Sequence, residues 1–402
     1  MYVLYTIIIR LYGLLLIIVA PFNKKAKQLH QGRRNQERRL ITRLKDWTNT
    51  NDRIWIHAAS YGEYEMARPI VRSLLDQGCN QILVTFHSPS GYLQASLEDD
   101  QMIKAYLPLD IMGIQKRFVH LIQPTKVVFI KYEFWFNLLR ILQKEKIDYY
   151  YTSLHLRKNS YLFWPLMSSF LSLIKASKHI YCHNQNSQTI LTENDFHQTS
   201  ILGDTRINQV QQNLEKWKDK VQWSSNIQPV IALGNITKKE IPLMTATINQ
   251  LQDFSFIIAP HDPKEDTEVI VSSINESVDL YSSSAPFSHR VLVLNTMGDL
   301  RYIYGYCDLA YVGGGFEKGP HNLLEPLIYG KPIMCGPNID KFPMAEYLSD
   351  TDLLKIVSHP SHFKQTLLTH LKETGLDFKE RAVQFFKEYE DKLPALVEEL
   401  IA

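Results

Sequence analysis

The stretch IWIHAASYGEYEMARPIVRSLLDQG, residues 54–78, decides the fold class of this chain. It opens with a short apolar run typical of a buried strand and continues with apolar residues at helical spacing. Gly78 then ends the predicted helix, at the position after the last helical residue where glycine is favoured. A second apolar run follows at residues 82–86. This order of strand, helix and strand predicts a parallel sheet covered by helices.

The same alternation extends over most of the chain. The further strands predicted in the first half are residues 103–107, 127–130, 149–153 and 180–182. The pattern pauses over a polar stretch at 207–228 and then resumes with the runs PVIALGN, SFIIAPHD, RVLVLNTMG, DLAYVGGG, KPIMCGP and LLKIVS. The predicted fold class is therefore α/β, with two Rossmann-like domains facing a cleft.

These patterns also predict the boundaries of the domains. In chain order we predict a membrane-anchor helix at 1–22, a basic juxtamembrane segment at 23–48, an N-terminal Rossmann-like domain at 49–206, a linker at 207–228, a C-terminal Rossmann-like domain at 229–378 and a C-terminal helix at 379–402. The last helix is amphipathic and is interrupted by a proline.

The N-terminal segment predicts a membrane association. Residues 2–22 are largely apolar, and Arg10 near their middle would cost about 2.5–3.5 kcal/mol in a spanning helix. A spanning helix and an interfacial helix both remain open, and both are favoured over a cleaved signal peptide or a disordered basic leader. Because a cluster of Lys and Arg follows at once, we expect the protein on the cytoplasmic face of the inner membrane.

Charge and cysteine content exclude several other classes of protein. The net charge is +2, and the excess of basic over acidic residues is confined to the first 45 positions, so a general nucleic-acid-binding surface is not expected. The four cysteines are far apart and lack metal-ligand spacing, which fits a reducing compartment. We predict neither a metal nor a cofactor.

The loops after the predicted strands are the expected place for chemistry, because open parallel sheets bind ligands beyond the carboxyl ends of their strands. In the first half, Ser60, Gly62 and Glu63 follow the strand at 54–58. The Ser-x-x-Glu spacing matches a capping box, which requires no catalysis, and a general base is the alternative. Further polar residues in such loops are Ser88, Ser90 and Glu133.

In the second half, the segment DLAYVGGGFEKGPHNLLEPLIYGKPIMCGP at 308–337 is the most informative. Its glycines, Gly313 and Gly314 among them, allow a close approach of the backbone to a ligand. We predict that a helix begins at Pro320, that its N-terminus and Lys318 favour a phosphate, and that Asn322 and Glu325 share one face of it. A tight turn with a solvated glutamate is the alternative.

Two other loops of the second half carry candidate donor-binding residues. Met297 and Gly298 are predicted at a helix start, and His261 lies within reach of a phosphate in a third loop. The glycine-rich segment at 308–337 is neither a Walker A nor a GxGxxG motif, which disfavours ATP and NAD as ligands.

Together, the segments WIHAASYGEYEMARPI, ILVTFHSPSGY, YEFWFN, MGDL, YVGGGF and HNLLEPLIYGKPIMCGP resemble the 3-deoxy-D-manno-octulosonic acid (Kdo) transferases of lipopolysaccharide synthesis, in order and spacing. The resemblance implies a GT-B fold with the lipid acceptor on the N-terminal domain and CMP-Kdo mainly on the C-terminal one. It implies inverting transfer of Kdo to the 6-hydroxyl of a lipid A precursor. The sequence has Pro260-His261-Asp262 where the family commonly has Pro-Arg-His.

The resemblance also implies the roles of individual residues. The family's catalytic glutamate falls on Glu63, and its His-Asn-x-x-Glu motif falls on His321, Asn322 and Glu325. The expected partners are CMP-Kdo, a lipid A precursor and membrane lipid. Two other functions are considered as alternatives: a GT-B glycosyltransferase that uses a UDP-sugar, and a non-catalytic, membrane-tethered protein that binds a nucleotide sugar.

Overall fold

The computed structural model divides the chain into two compact units. It describes residues 2–47, 53–217, 227–283, 287–340, 342–375, 377–389 and 392–402. The first unit combines Met1–Gln209 with Tyr389–Ala402, and the second is Val210–Glu388.

The first unit is built on a parallel sheet. Its described strands are β1 (Ile54–His57), β2 (Ile82–Phe86), β3 (Ile103–Tyr106), β4 (Lys126–Ile130), β5 (Asp148–Leu154), β6 (His179–Cys182) and β7 (Thr199–Ile201). They lie in the order β3-β2-β1-β4-β5-β6-β7, which reverses direction at β1. A ligand site is expected at such a switch point, beyond the carboxyl ends of β1 and β4.

Helices surround this sheet. They are α1 (Tyr2–Val19), α2 (Lys24–Arg33), α3 (Gln36–Leu44), α4 (Tyr61–Asp76), α5 (Pro89–Gln94), α6 (Met112–Ile122), α7 (Phe136–Lys144), α8 (Ser168–Lys175) and α9 (Gln185–Glu193). Successive side chains of β1 pack into apolar clusters on opposite faces of the sheet. Trp55 belongs to one cluster, and Ile54 and Ile56 belong to the other. Both faces of the sheet are therefore buried, as in other parallel sheets.

The second unit repeats the design. Its described strands are β8 (Val230–Ile236), β9 (Ser255–Pro260), β10 (Asp279–Leu280), β11 (Val291–Val293), β12 (Leu309–Val312), β13 (Ile333–Cys335) and β14 (Leu354–Ile356), in the order β10-β11-β9-β8-β12-β13-β14. The helices from the junction onward are α10 (Arg206–Trp217), α11 (Ile241–Gln250), α12 (Pro263–Ser273), α13 (Leu300–Ile303), α14 (Leu324–Leu327), α15 (Pro343–Asp350), α16 (Phe363–Glu373) and α17 (Phe378–Lys387), and α18 (Lys392–Ile401) follows in the first unit.

The predicted fold class is confirmed: the chain is α/β and carries two Rossmann-like parallel sheets. Two strands escaped prediction, β7 and β10, which are short edge strands with half-buried residues and therefore lack a continuous apolar run. The C-terminal tail forms two helices, α17 and α18, and the second packs against α4.

Helix α1 lies against the first unit along one side. The ring of Tyr5 packs on Phe136 and Phe170, and its hydroxyl donates to a carboxylate oxygen of Asp110 at 2.5 Å. No single described helix meets the length and hydropathy expected of a membrane span; α1 and α2 meet them only together, as a pair bent by 115°. The predicted membrane anchor at 1–22 stays a prediction.

Candidate active site

The switch point of the first sheet gathers a group of charged side chains. Glu63 lies in the first turn of α4, directly after β1, and His57 is the last residue of that strand. Lys131 and Glu133 follow β4, which pairs with β1. The topology therefore brings to one edge residues that lie about 70 positions apart in the sequence.

Glu63 is half-buried, and one of its oxygens closes the start of its own helix. The amide of Ser60 donates to Glu63 Oε2 at 2.9 Å, which is one of the two bonds of a capping box. Within the described residues Oε1 accepts no hydrogen bond. A Cβ placed on the neighbouring Gly62 would meet nothing within 4 Å. The carboxylate thus caps the helix with one oxygen, and the other makes no hydrogen bond within the described residues.

A carboxylate near a helix N-terminus is ordinarily favoured in its ionised form, but the surroundings of Glu63 raise its pKa. Burial raises its pKa most, and the neighbouring charge of Glu133 raises it further. Lys131, the Ser60 amide and His57 act in the opposite direction and do not overcome these effects. Desolvation therefore outweighs the effect of the helix terminus on the pKa of Glu63.

Glu133 is held in place by two ring donors. Its Oε2 lies 3.0 Å from His57 Nε2 and accepts a 2.7 Å hydrogen bond from Trp135 Nε1. His57 is fully buried, and its Nδ1 lies 2.8 Å from Thr85 Oγ1. Burial acts to raise the pKa of Glu133, but the hydrogen bond and charge of His57 hold it below the usual value. Glu133 is therefore the carboxylate of this pair that stays ionised.

Lys131 supplies a positive charge next to the two carboxylates. Its φ of 64° lies in the left-handed region, which is uncommon for a lysine. Burial lowers its pKa, as does the charge of Arg206, while Asp204 and Glu63 raise it.

The two predicted serines lie beside this group with different roles. Ser88 caps α5, since its Oγ accepts the amide of Gly91 at 3.1 Å. Its own amide donates to Ala59 O at 2.7 Å, which joins its loop to the one that carries Ser60. Ser90 is exposed, with its Oγ 3.1 Å from that of Ser88.

In the second unit, the glycines after β12 serve close contacts between loops. A Cβ on Gly313 would lie 2.4 Å from Asn235 O, and one on Gly314 would lie 2.5 Å from Gly319 O. Gly314 also has a φ of +92°. The tight turn considered as the alternative is therefore present, closed by the amide of Gly319 on Gly314 O at 2.9 Å.

A buried carboxylate, Glu240, organises this turn. Its oxygens accept the amide of Gly314 at 2.9 and 3.0 Å, the amide of Thr237 at 3.0 Å and the hydroxyl of Tyr311 at 2.8 Å. The Gly314 amide is thus directed at protein rather than at a ligand.

Two histidines stack beside the turn. The rings of His261 and His321 are 4.7 Å apart and inclined by 28°, and both residues are exposed. Burial of its ring lowers the pKa of His321, as does the charge of His261. Lys318 is exposed two residues before Pro320. The two histidines thus border one surface, and Lys318 lies three residues before His321 in the sequence.

The prediction of a helix that begins at Pro320 was wrong. Helix α14 begins at Leu324 and has four residues, because Asn322 Oδ1 accepts the Leu324 amide at 3.1 Å and starts the helix there. Asn322 lies before this helix and does not share a face of it with Glu325, but the two side chains are in contact, with 3.3 Å between Nδ2 and Oε1. So short a helix offers little dipole to a phosphate.

Met297 and Gly298 form a separate turn before α13. Met297 is 75% exposed, and a Cβ on Gly298 would meet nothing within 4 Å. This turn leads to Arg301, whose carbonyl accepts the hydroxyl of Tyr329 at 3.0 Å, so α13 lies near the segment that follows α14.

Sequence reasoning missed His57, His87 and Glu240. The first two lie at the ends of β1 and β2, the edge that had been singled out, so their position was the available signal. Glu240 forms a Thr-x-x-Glu pattern with Thr237, the capping-box spacing recognised at Ser60 but overlooked here.

Several known proteins are similar to this chain in sequence or in fold. Residues 32–209 match the family profile of 3-deoxy-D-manno-octulosonic-acid transferase (kdotransferase). The 3-deoxy-D-manno-octulosonic acid transferase of Chlamydophila psittaci is 23% identical over 84% of this chain and 83% of its own length. The transferase of that name from Haemophilus influenzae is 27% identical over 72% of each chain.

Among solved structures, the UDP-GlcNAc 2-epimerase from Neisseria meningitidis superposes with a TM-score of 0.60, at 16% identity, over 87% of this chain and 99% of its own. That likeness concerns the fold alone, the GT-B architecture of paired parallel sheets. The sequence relationships go further, because they extend through both units and include the segment with Glu63. On these grounds the chain is related in sequence to the Kdo transferases.

Proposed function

We propose that this protein transfers Kdo from CMP-Kdo to the 6-hydroxyl of a lipid A precursor, lipid IVA, with inversion at the anomeric carbon and with Glu63 as the general base. One observation carries the proposal. Glu63 is a half-buried carboxylate of raised pKa, with one oxygen fixed by Ser60 and the other without a hydrogen bond among the described residues, at the switch point of the unit that matches the Kdo transferase profile.

The chemistry requires a base more than an acid. The acceptor oxygen attacks the anomeric carbon of Kdo, the bond from that carbon to the CMP phosphate breaks, and its electron pair leaves with CMP. The proton of the acceptor hydroxyl passes to Glu63. Because CMP is already a good leaving group, protonation of the departing oxygen is not needed. Attack opposite the departing CMP inverts the configuration.

The neighbours of Glu63 suit this role. A base is most effective when its pKa lies near the working pH, and burial and Glu133 move the pKa of Glu63 in that direction. The ionised Glu133 also favours the protonated form of Glu63 after it takes up the proton. Lys131 offsets the negative charge of Glu63 before the reaction.

The second unit is proposed to bind CMP-Kdo. The exposed His261, His321 and Lys318 are the groups proposed for its phosphate, and Asn322 and Glu325 for its sugar hydroxyls. CMP carries a single phosphate, so a divalent cation between two phosphates is not required. Glu240 is proposed to act indirectly, by fixing the turn at Gly314.

The acceptor is a lipid, and we propose that α1 holds the protein on the cytoplasmic face of the inner membrane. The side of the helix away from the sheet exposes large apolar residues, such as Ile7, Leu11 and Ile18. Trp164 and Leu166 are also more than 60% exposed, before α8, whose Phe170 packs on Tyr5. Tryptophan is enriched at membrane interfaces.

The contacts of α1 favour an interfacial helix over a spanning one. The Tyr5 hydroxyl bonds to Asp110, and a Cβ on Gly13 would lie 2.7 Å from Leu109. A helix packed on the protein in this way lies along the bilayer surface with its apolar side toward lipid. The exposed Arg10 then reaches the headgroups.

The test compares Glu63→Gln with wild type for transfer of Kdo from CMP-Kdo to a tetraacylated lipid A precursor. Glutamine still accepts the Ser60 amide but takes up no proton, so we expect transfer to fall at least ~100-fold with an unchanged melting temperature. Glu65→Gln is the control, because Glu65 bonds to Arg68 and Gln209 instead. An active Glu63→Gln protein would refute the role of Glu63, and an inactive wild type would refute this substrate pair.

A further inference from the structure

The first unit contains a cavity of about 210 Å³ that takes no part in the site described above. It lies between the α2–α3 segment, the loop after β3 and helix α6. Its apolar walls come from Leu109, Ile114, Phe118 and Leu121. An apolar cavity of about 150 Å³ holds a benzene molecule. This one is large enough for several methylene groups of a chain.

Two guanidinium groups border the cavity, those of Arg33 and Arg117. Arg33 Nε donates to Leu107 O at 3.0 Å, while its buried Nη1 has no hydrogen-bond partner among the described residues. A buried guanidinium donor without a partner is costly. Burial also lowers the pKa of Arg33 to about 10. Glu37, an exposed residue, also lines the cavity, but no described ion pair joins it to Arg33.

Arg33 connects the cavity to the charged group around Glu63. Its Nη2 lies 3.4 Å from His87 Nδ1, and the rings of His87 and Trp135 are 5.2 Å apart. Trp135 in turn donates to Glu133. A ligand group at Arg33 would therefore be connected to Glu133 through His87 and Trp135.

The opposite side of the cavity adjoins the apolar helix α1. Leu109 lines the cavity and also packs against Gly13 of that helix. The cavity thus lies between a helix with an exposed apolar side and the charged group that contains Glu63. An amphiphile that leaves a lipid surface could place its chain in the cavity and its polar end at Arg33.

We propose that this cavity binds one acyl chain of the acceptor, with a phosphate of the same molecule on Arg33 and Arg117. The assignment rests on the proposed function. The apolar walls match a chain, the unpartnered Nη1 matches an anion, and the contact of Arg33 with His87 favours the acceptor over a lipid of the surrounding bilayer. The cavity becomes a subsite that aligns the acceptor with Glu63.

Binding is tested first, with dodecyl phosphate as the probe, by calorimetry of the full chain below the micelle concentration. We expect one saturable site on wild type, and at least tenfold weaker binding of inorganic phosphate and of dodecyl maltoside. Ile114→Trp fills the cavity and should lower the affinity for dodecyl phosphate at least tenfold. Lys116→Trp, on an exposed position of the same helix outside the cavity, should not.

The anion contact has its own pair of variants. Arg33→Met should lower the affinity for dodecyl phosphate at least tenfold. Arg34→Met, at the exposed neighbouring position, should leave this affinity unchanged. If Ile114→Trp and Arg33→Met both bind dodecyl phosphate as tightly as wild type does, the proposal is overturned. The probe would then bind to another surface, such as the exposed side of α1.

Transfer kinetics then identify the occupant. Ile114→Trp should raise KM for the acylated acceptor at least tenfold with little change in kcat, the pattern of lost ground-state binding. If a variant no longer binds dodecyl phosphate but keeps the wild-type KM for the acylated acceptor, the acceptor is not the ligand of the cavity. The cavity would then be assigned to a bilayer lipid. A wild type that binds the probe with the expected variant pattern but transfers no Kdo would reject the proposed function and support the acyl site.

Discussion

His57 Nε2 lies 3.0 Å from Glu133 Oε2, and through this contact a fully buried histidine controls the charge next to Glu63. Because Glu133 stays ionised, its charge adds to burial in raising the pKa of Glu63. The two carboxylates therefore differ in protonation behaviour, although both follow strands of one sheet edge. Such divergent environments are typical of sites that perform proton transfer.

The first prediction concerns the pH dependence of transfer. Since Glu63 works in its ionised form and its pKa is raised, kcat/KM should fall with decreasing pH at a pH above the ordinary range of glutamate. Glu133→Gln removes a neighbouring negative charge and lowers the pKa of Glu63. The acid limb of the kcat/KM profile should therefore move to lower pH, with a plateau reduced by less than the ~100-fold loss expected for a missing base.

Glu65→Gln serves as the control for this profile, because Glu65 lies on the same helix and bonds to Arg68. Its acid limb should coincide with that of wild type. If the acid limb of Glu133→Gln coincides with that of wild type, Glu133 does not influence the pKa of Glu63.

The second prediction uses Gly62, beside the proposed base. A Cβ there meets nothing within 4 Å, so Gly62→Ala should keep or slightly raise the melting temperature, since alanine favours a helix by about 1 kcal/mol over glycine. If the acceptor occupies this space, transfer should fall at least tenfold. Gly113→Ala is a close match, because Gly113 is also the second residue of a helix and also faces open space. Equal activities of the two variants would place the acceptor elsewhere.

The sequence was sufficient for the two sheets because their strands are buried on both faces and read as continuous apolar runs. Residues such as Trp55 and Ile56 leave little ambiguity. Strands β7 and β10 lack that signal, since their residues are half-buried. The start of α14 was predicted wrongly for a different reason. Pro320 favours a first helical turn, but Asn322 starts the helix instead.

The position of the candidate site could be predicted from the sequence, but the pKa shifts of its residues could not. Glu63 and Glu133 were identified from their positions after apolar strands, which a parallel sheet brings to one edge. The direction of the pKa shift at Glu63 depends on burial and on a residue 70 positions away, and neither is a local property. The contact between Arg33 and His87 has the same origin, because α2 reaches the sheet edge only in the folded domain.

The third prediction separates two glycines of similar backbone conformation. Gly298 and Gly314 have φ values of +90° and +92°, but a Cβ on Gly298 meets nothing, whereas one on Gly314 lies 2.5 Å from Gly319 O. Gly298→Ala should cost about 1–2 kcal/mol, the penalty of the left-handed conformation. Gly314→Ala should cost about 1–3 kcal/mol more through overpacking.

Hydrogen exchange in the strands of the second unit measures these costs as losses of opening free energy. The comparison is informative because the two variants differ mainly in available space. Equal losses would mean that the loop at Gly319 yields easily and that the turn is not rigid.

The fourth prediction concerns stability against acid. Burial, together with the charge of Arg33, lowers the pKa of His87 from 6.5 to about 4. The folded state therefore resists protonation of His87, and its stability falls as the pH decreases from about 6.5 to about 4. In His87→Gln this slope should be smaller by up to one proton, about 1.4 kcal/mol per pH unit. His120→Gln, at an exposed position of α6, should retain the slope of wild type.

Hydrogen exchange in the first unit, followed at several pH values, gives the slope for each variant. Identical slopes for wild type and His87→Gln would show that His87 is protonated without loss of contacts.

The last prediction addresses the nucleotide. If the second unit binds CMP through the surface at His261 and His321, CMP should protect this unit against unfolding more than UDP does. At 100 times its Kd a ligand adds about 2.7 kcal/mol of stability. His321→Ala should abolish most of this protection, and His362→Ala, at an exposed position of the same unit, should preserve it. Stronger protection by UDP would favour a UDP-sugar donor, and equal protection in both histidine variants would move the nucleotide away from the stacked pair. Protection by CMP without any transfer would point to a binding protein that does not turn over its ligand.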